Sequence, residues 1–230
     1  MYNRSVPQPD PHEVPLDLPL ERGPLRLADY LRMADEPRCE IWRGHLVLTA
    51  APRVTHQRVS GVLFQLLARY GRRIGGLAVA APIDVVLADD TIVQPDLLLL
   101  TAESLPGAEE LIRIVPDLLV EIVSPGQSRR DRVLKLNLYV AAGVPEYWIV
   151  DGEERTFEFL VHAEGRFATA LPRGGVYRSP TLPGLELDLA PLLARRRRPP
   201  RRALNSPWRT LSAIRTSSPC FQPMTPRFSR

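Results

Sequence analysis

Proline sets the outline of this chain before any apolar pattern is considered. Of its 24 prolines, six fall in the first 24 residues and six in the last 36, which leaves twelve for the 170 between. Proline fixes φ and has no N–H to donate, so a segment crowded with it sustains neither a helix nor a sheet ladder. Residues 1–24 therefore read as an extended, flexible lead-in, and the Arg/Pro-rich residues 195–230 as a disordered tail without a packed core. One domain remains, residues 25–194, of a size that a single core supports, and the chain's 44% apolar content is enough to fill it.

Within that domain the apolar pattern changes period repeatedly. LADYLRMADE (27–36) has helical character, and CEIWRGHLVLTA reads as two short strands around a turn at Arg43-Gly44. From Thr55 to Arg73, Val59, Leu63, Leu66 and Tyr70 recur at helical spacing and predict a long amphipathic helix. LAVAAPIDVVLA and IVQPDLLLL, joined at Asp89-Asp90, read as a strand pair, and DLLVEIVS (117–124) as a further buried strand. Ser128 with Asp131 three positions on fits a capping box, which predicts a helix running to Gly143. EYWIVD, RTFEFLVH, RFATAL and VYRS follow as strands, ahead of LELDLAPLLA. The expected fold class is α/β, a mixed sheet enclosed by helices, with no internal repeat.

The formal charge of +4 hides an uneven distribution. Residues 195–230 hold ten arginines and no acid, so residues 1–194 carry 20 basic and 26 acidic side chains, net −6. The pI of 9.4 belongs to the tail, and a globule that grips nucleic acid with its whole surface is excluded. Two cysteines exclude a disulfide framework, no apolar run reaches the length of a membrane span, and acids and prolines interrupt the N-terminus where a signal peptide is continuous. A retained, cytoplasmic protein is expected. Of the 30 basic side chains, 29 are arginine and one is lysine, Lys135. Arginine keeps its proton in a protein, whereas a lysine ammonium is tuned by its surroundings, so the lone lysine is a candidate for chemistry.

Acids inside apolar strands are costly unless paired, hydrogen-bonded or bound to metal. Asp96, Asp117 and Glu121 are the three that stand out. Asp117 and Glu121 share a face of one strand but lie about 13 Å apart at strand rise and cannot chelate one ion. Asp96 and Glu121 belong to different strands, and adjacent strands about 5 Å apart let two carboxylates share a divalent cation. After Glu121 the chain enters the helix on which Asp131, Lys135 and Tyr139 recur every four residues along one side. Apolar residues cover the other half of that wheel, so Lys135 either points to solvent or borders a cleft.

The order PD at 95–96, VEIVSP at 120–125, RRDRVLKLNLY at 129–139 and AGVPEYWIVD at 142–151 resembles the Uma family of "putative restriction endonucleases", within the PD-(D/E)XK nuclease superfamily. The likeness extends from about CEIWRGHLVLTAAPRVTHQRVSGVL through the strand at 176–189. It implies a restriction-endonuclease-like fold and a metal-dependent endonuclease acting on DNA. By that resemblance Asp96 and Glu121 would ligate Mg2+ or Mn2+, and Lys135 would orient or deprotonate the attacking water and neutralise charge on the phosphate. The chain departs from the superfamily in one respect. The lysine usually stands two residues after the second acid, where this chain has Val123, and Lys135 would supply the amine from the following helix.

Glu40 occupies the place where related sequences carry an acid ahead of the first hairpin, so it is either a further metal ligand or a solvated strand residue. His56 opens the long helix and extends its apolar stripe, a core-edge histidine or a site residue, and Gln57 is equally open. Tyr139 and Trp148 are expected to pack rather than to stack on bases. The four histidines lack zinc-ligand spacing, and no glycine-rich phosphate loop occurs. RRRRPPRR is either a salt-dependent phosphate contact or a nonessential extension. Cleaving both DNA strands would call for two active sites and hence a homodimer. The competing reading is a non-catalytic DNA-binding or protein-interaction module on a nuclease scaffold.

Overall fold

The computed structural model describes residues 24–33, 38–49, 51–105, 111–123 and 130–193, the side chains of residues 130–132 and 193 excepted. Its centre is a six-stranded mixed sheet in the order β10-β9-β8-β7-β6-β3. The strands are β3 (Leu77–Ala80), β6 (Leu97–Leu100), β7 (Leu118–Val123), β8 (Glu146–Asp151), β9 (Thr156–Ala163) and β10 (Arg166–Thr169). Only β7 and β8 run parallel. A parallel pair needs a crossover, and the helical segment between them supplies it.

That segment begins as a π-helical turn, Arg130–Lys135, and continues as α3, Leu136–Ala142. Gly143 ends it at φ 74°, the left-handed conformation that closes a helix with least strain in glycine. The Ser128 half of the expected capping box, and the side chain of Asp131, lie outside the described residues. The long helix is α2, Val54–Arg73, which buries Ser60, Leu63, Leu67, Tyr70 and Gly71. α1 spans only Leu27–Tyr30, shorter than the pattern over 27–36 predicts. A four-stranded antiparallel sheet in the order β2-β1-β5-β4 is built from β1 (Cys39–Trp42), β2 (His45–Leu48), β4 (Val85–Ala88) and β5 (Thr91–Val93). β11 (Val176–Arg178) and β12 (Glu186–Asp188) form a separate pair, and α4 is Ala190–Leu193.

The segment from Leu77 to Leu100 differs from the strand pair expected of it. It makes four strands, not two: β3 and β6 pair in the large sheet while β4 and β5 pair in the small one. Each break falls at a proline, Pro82 after β3 and Pro95 after β5, where the ladder loses a donor.

Alternation along β7 divides the core in two. Leu118, Val120 and Ile122 pack with Leu63, Leu67, Trp148, Phe159 and Tyr177 on the α2 face. Leu119 and Val123 pack with Leu136, Tyr139, Tyr147 and Ile149 on the α3 face, which also takes in Trp42 and Val47 of the small sheet. Glu121 falls between Leu119 and Val123 and shares their face. Gly76 admits no side chain, because a Cβ there would lie 2.2 Å from the Leu100 carbonyl oxygen. No helix among the described residues is long and apolar enough to cross a membrane.

Candidate functional site

Strand alternation delivers the Glu121 carboxylate into the α3-face core, where it is 4% exposed. A carboxylate there demands donors. Lys135 Nζ lies 2.7 Å from Glu121 Oε1, and the Tyr139 hydroxyl donates to the same oxygen at 2.7 Å. The four-residue spacing of Lys135 and Tyr139 stacks the two donors one above the other. The helical wheel misjudges this side of the helix, because Lys135 is buried, and so is Tyr139. The wheel keeps Lys135 and Tyr139 on one side, as the structure does, but cannot show that Glu40 and Trp42 of β1 cover that side. Burial, and then the Glu121 carboxylate, hold the Tyr139 phenol well above its ordinary range.

The ammonium has a second anion. Lys135 Nζ lies 3.2 Å from Glu40 Oε1 and 6.0 Å from the centre of the Trp42 ring. Glu40 is fully buried on β1. Its Oε1 also accepts the backbone N–H of Gln94 at 2.6 Å, and its Oε2 accepts the indole N–H of Trp42 at 2.8 Å. The alternative of a solvated strand residue is thereby excluded for Glu40. Gln94 is itself fixed: its side chain donates to Asp84 Oδ1 at 2.7 Å and accepts from Arg38 at 3.0 Å.

Two residues on, Asp96 stands at the mouth of the sheet. The register that pairs Leu97 with Val120 sets Asp96 opposite Glu121. Asp96 Oδ2 accepts the Ile122 N–H at 2.7 Å and lies 3.0 Å from His56 Nε2 on the first turn of α2. Its side chain is 19% exposed, against 6% for Glu121, so the water-facing side of the pair is Asp96. His56 Nδ1 is buried without a hydrogen-bond partner among the described residues.

The structure therefore gathers Asp96, Glu121, Lys135, Tyr139, Glu40 and His56 around the end of β7. Gln57, on the first turn of α2, is exposed. Asp117 caps a different turn, accepting the Thr101 N–H at 2.7 Å. Trp148 packs edge-on against Phe159 and Tyr177 in the core. Sequence reading missed Trp42 and Gln94, which position Glu40. It also missed Glu146, fully buried at the start of β8, which accepts from Trp148, Tyr177, Ser179 and Thr181. The shared signal was an acid two residues before a tryptophan in a strand, in Glu40-Ile41-Trp42 and Glu146-Tyr147-Trp148.

Among the described residues no three His, Cys, Asp or Glu side chains form a ready metal cage. Magnesium is commonly held by one or two protein oxygens with water and substrate phosphate completing its shell. Asp96 and Glu121, set opposite one another on adjacent strands, are the residues that would hold such an ion.

Residues 27–190 match the family model Uma2, described as "Putative restriction endonuclease". Among solved structures, a "putative nuclease belonging to DUF820" from Anabaena variabilis ATCC 29413 shares the fold. The two superpose with a TM-score of 0.63 at 19% identity, over 74% of this chain and 98% of that one. No curated protein matches the chain.

Proposed function

Because the chain belongs to the Uma2 family of restriction-endonuclease-like proteins, we propose that it is a divalent-metal-dependent endonuclease that hydrolyses phosphodiester bonds of DNA in the cytoplasm. The observation that carries the reading is the meeting of the chain's one lysine with Glu121, 14 residues earlier, at 2.7 Å beside Asp96. In this reading Asp96 and Glu121 hold Mg2+ or Mn2+. When bound, such an ion supplies positive charge beside the scissile phosphate and acidifies nearby water.

The chain's own groups do the rest. Lys135 brings a second positive charge to the site from the following helix, in place of the lysine that the superfamily puts at the position of Val123. It orients the attacking water and offsets charge that develops on the phosphate oxygens. Tyr139 fixes the Glu121 oxygen that Lys135 also touches, and His56 fixes the outer carboxylate, Asp96. Neither group is then free to swing as substrate binds, which keeps the donors pre-organised. Residues 25–194 form the nuclease domain, and the Arg-rich residues 195–230 are dispensable for it.

Plasmid incubated with the purified full chain tests this. Nicking that requires Mg2+ or Mn2+, and that falls at least about 100-fold in Asp96→Asn, is the expected result. Metal-independent nicking, or an Asp96→Asn variant as active as the wild type, would refute it. The burial of Lys135 favours a second reading, a non-catalytic DNA-binding or protein-interaction module, because an ammonium 5% exposed and held by two carboxylates is poorly placed to grip phosphate. DNA binding without cleavage of any substrate would select it.

A further inference from the structure

Glu40 and Glu121 both hold Lys135, yet they are not equivalent. Glu121 stands opposite Asp96, whose side chain reaches solvent. Glu40 lies deeper, fully buried, and neither of its oxygens waits for an ion: Oε1 takes the Gln94 N–H and the ammonium, Oε2 the Trp42 indole. Two fixed N–H donors hold this carboxylate in place without a metal.

We propose that Glu40 is a positioning residue, the counter-ion that keeps the Lys135 ammonium docked when a divalent cation engages Glu121, and that it is not itself a metal ligand. The inference rests on the reading above, in which Glu121 helps to hold the metal. A cation on Glu121 competes with Lys135 for the same carboxylate and repels its ammonium. An amine held by Glu121 alone would be expelled at the moment the site became complete. Glu40 supplies a second anion that the cation does not neutralise, 3.2 Å from Nζ, under the Trp42 ring. Gln94 links this device to the metal side, since its backbone N–H fixes Glu40 two residues before Asp96.

The chain has a single lysine, so [15N]lysine labelling of the full-length protein gives one Nζ resonance, and its hydrogen exchange reports on this ammonium alone. In the wild type the resonance is expected to stay protected both without metal and at saturating Mg2+. In Glu40→Gln, exchange is expected to be about tenfold faster without metal, and the signal should vanish on Mg2+ addition. Mg2+ affinity by calorimetry should stay within about twofold of wild type. Three results would overturn the proposal: unchanged protection in Glu40→Gln with Mg2+, an affinity loss of about tenfold or more with the lysine signal intact, or loss of the wild-type signal on Mg2+ addition. Should Glu40→Gln fail to fold, Glu40→Asp keeps the charge but shortens the reach, and exchange intermediate between the wild type and the free amine is expected. If the protein bound neither Mg2+ nor Mn2+, the metal reading would fail, while exchange in the metal-free wild type and variant would still decide whether Glu40 holds Lys135.

Discussion

Replacing Tyr139 by phenylalanine removes one oxygen from the centre of the site and little else. The ring is fully buried and meets Tyr147 edge-on at 4.9 Å, a contact that phenylalanine keeps. What goes is the 2.7 Å bond to Glu121 Oε1. A hydrogen bond to a charged group contributes roughly 1.5–3 kcal/mol, and the lower end applies because Lys135 still satisfies that oxygen. The variant should therefore be less stable by about 1.5 kcal/mol at pH 8. The deficit should then shrink as pH rises. Burial and the Glu121 carboxylate keep the native phenol protonated where the unfolded chain, with an ordinary phenol, has lost its proton. Above about pH 10 the unfolded state binds one proton fewer than the native state, and the wild type loses about 1.4 kcal/mol per pH unit through this group. The stabilisation is complete below pH 10 and is lost upward, so the two proteins should become equally stable near about pH 11. Tyr30, Tyr70 and Tyr177 are also held above the ordinary phenol range, but both proteins contain them and their effect cancels. Urea unfolding at pH 8, 9, 10 and 11 gives the difference directly. A deficit that stays constant across that range would refute the burial argument, and a variant as stable as the wild type at pH 8 would refute the stabilising bond.

Glu146→Gln should lower stability by about 2 kcal/mol, because Trp148, Tyr177, Ser179 and Thr181 all donate to this carboxylate and an amide turns part of it into a donor. Chemical denaturation reads the change, and an equal or higher midpoint would mean that relieving the buried charge outweighs the lost donors. Gly76→Ala should cost more than about 2 kcal/mol, since its methyl would lie 2.2 Å from a backbone oxygen of β6 that cannot give way without disturbing the β3–β6 ladder. A shift in melting temperature smaller than that of Glu146→Gln would show that the ladder yields easily. Removing residues 195–230 should leave both the melting temperature and DNA affinity at low salt unchanged, and an affinity loss that is restored by lowering the salt further would assign the arginines to phosphate contact.

Periodicity in the sequence was enough to place the long helix, the first hairpin and the strands around Glu121 and Glu146. Each of these is decided by which residues alternate or recur along a local stretch. That Asp96 and Glu121 stand on neighbouring strands was legible too, although each acid is satisfied by partners of its own, Asp96 by the Ile122 N–H beside His56 and Glu121 by Lys135 and Tyr139. The wheel set Lys135 beside Tyr139 but could not show that Glu40 and Trp42 bury it, and the strand pair expected over 77–100 left out the change of sheet at each of Pro82 and Pro95.

The sequence by itself singled out the side chains that needed an explanation: Asp96 and Glu121, acids set in apolar strands, and a single lysine amid 29 arginines. Only the tertiary structure decided what each of them touches. Glu40 meets Lys135 across nearly a hundred residues, and His56 meets Asp96 across forty, because the small sheet and the first turn of α2 are packed against the ends of β6 and β7. Local pattern specifies that a face must be covered. Which element covers it follows from chain connectivity and long-range packing, and that is where the carboxylate holding the ammonium was found.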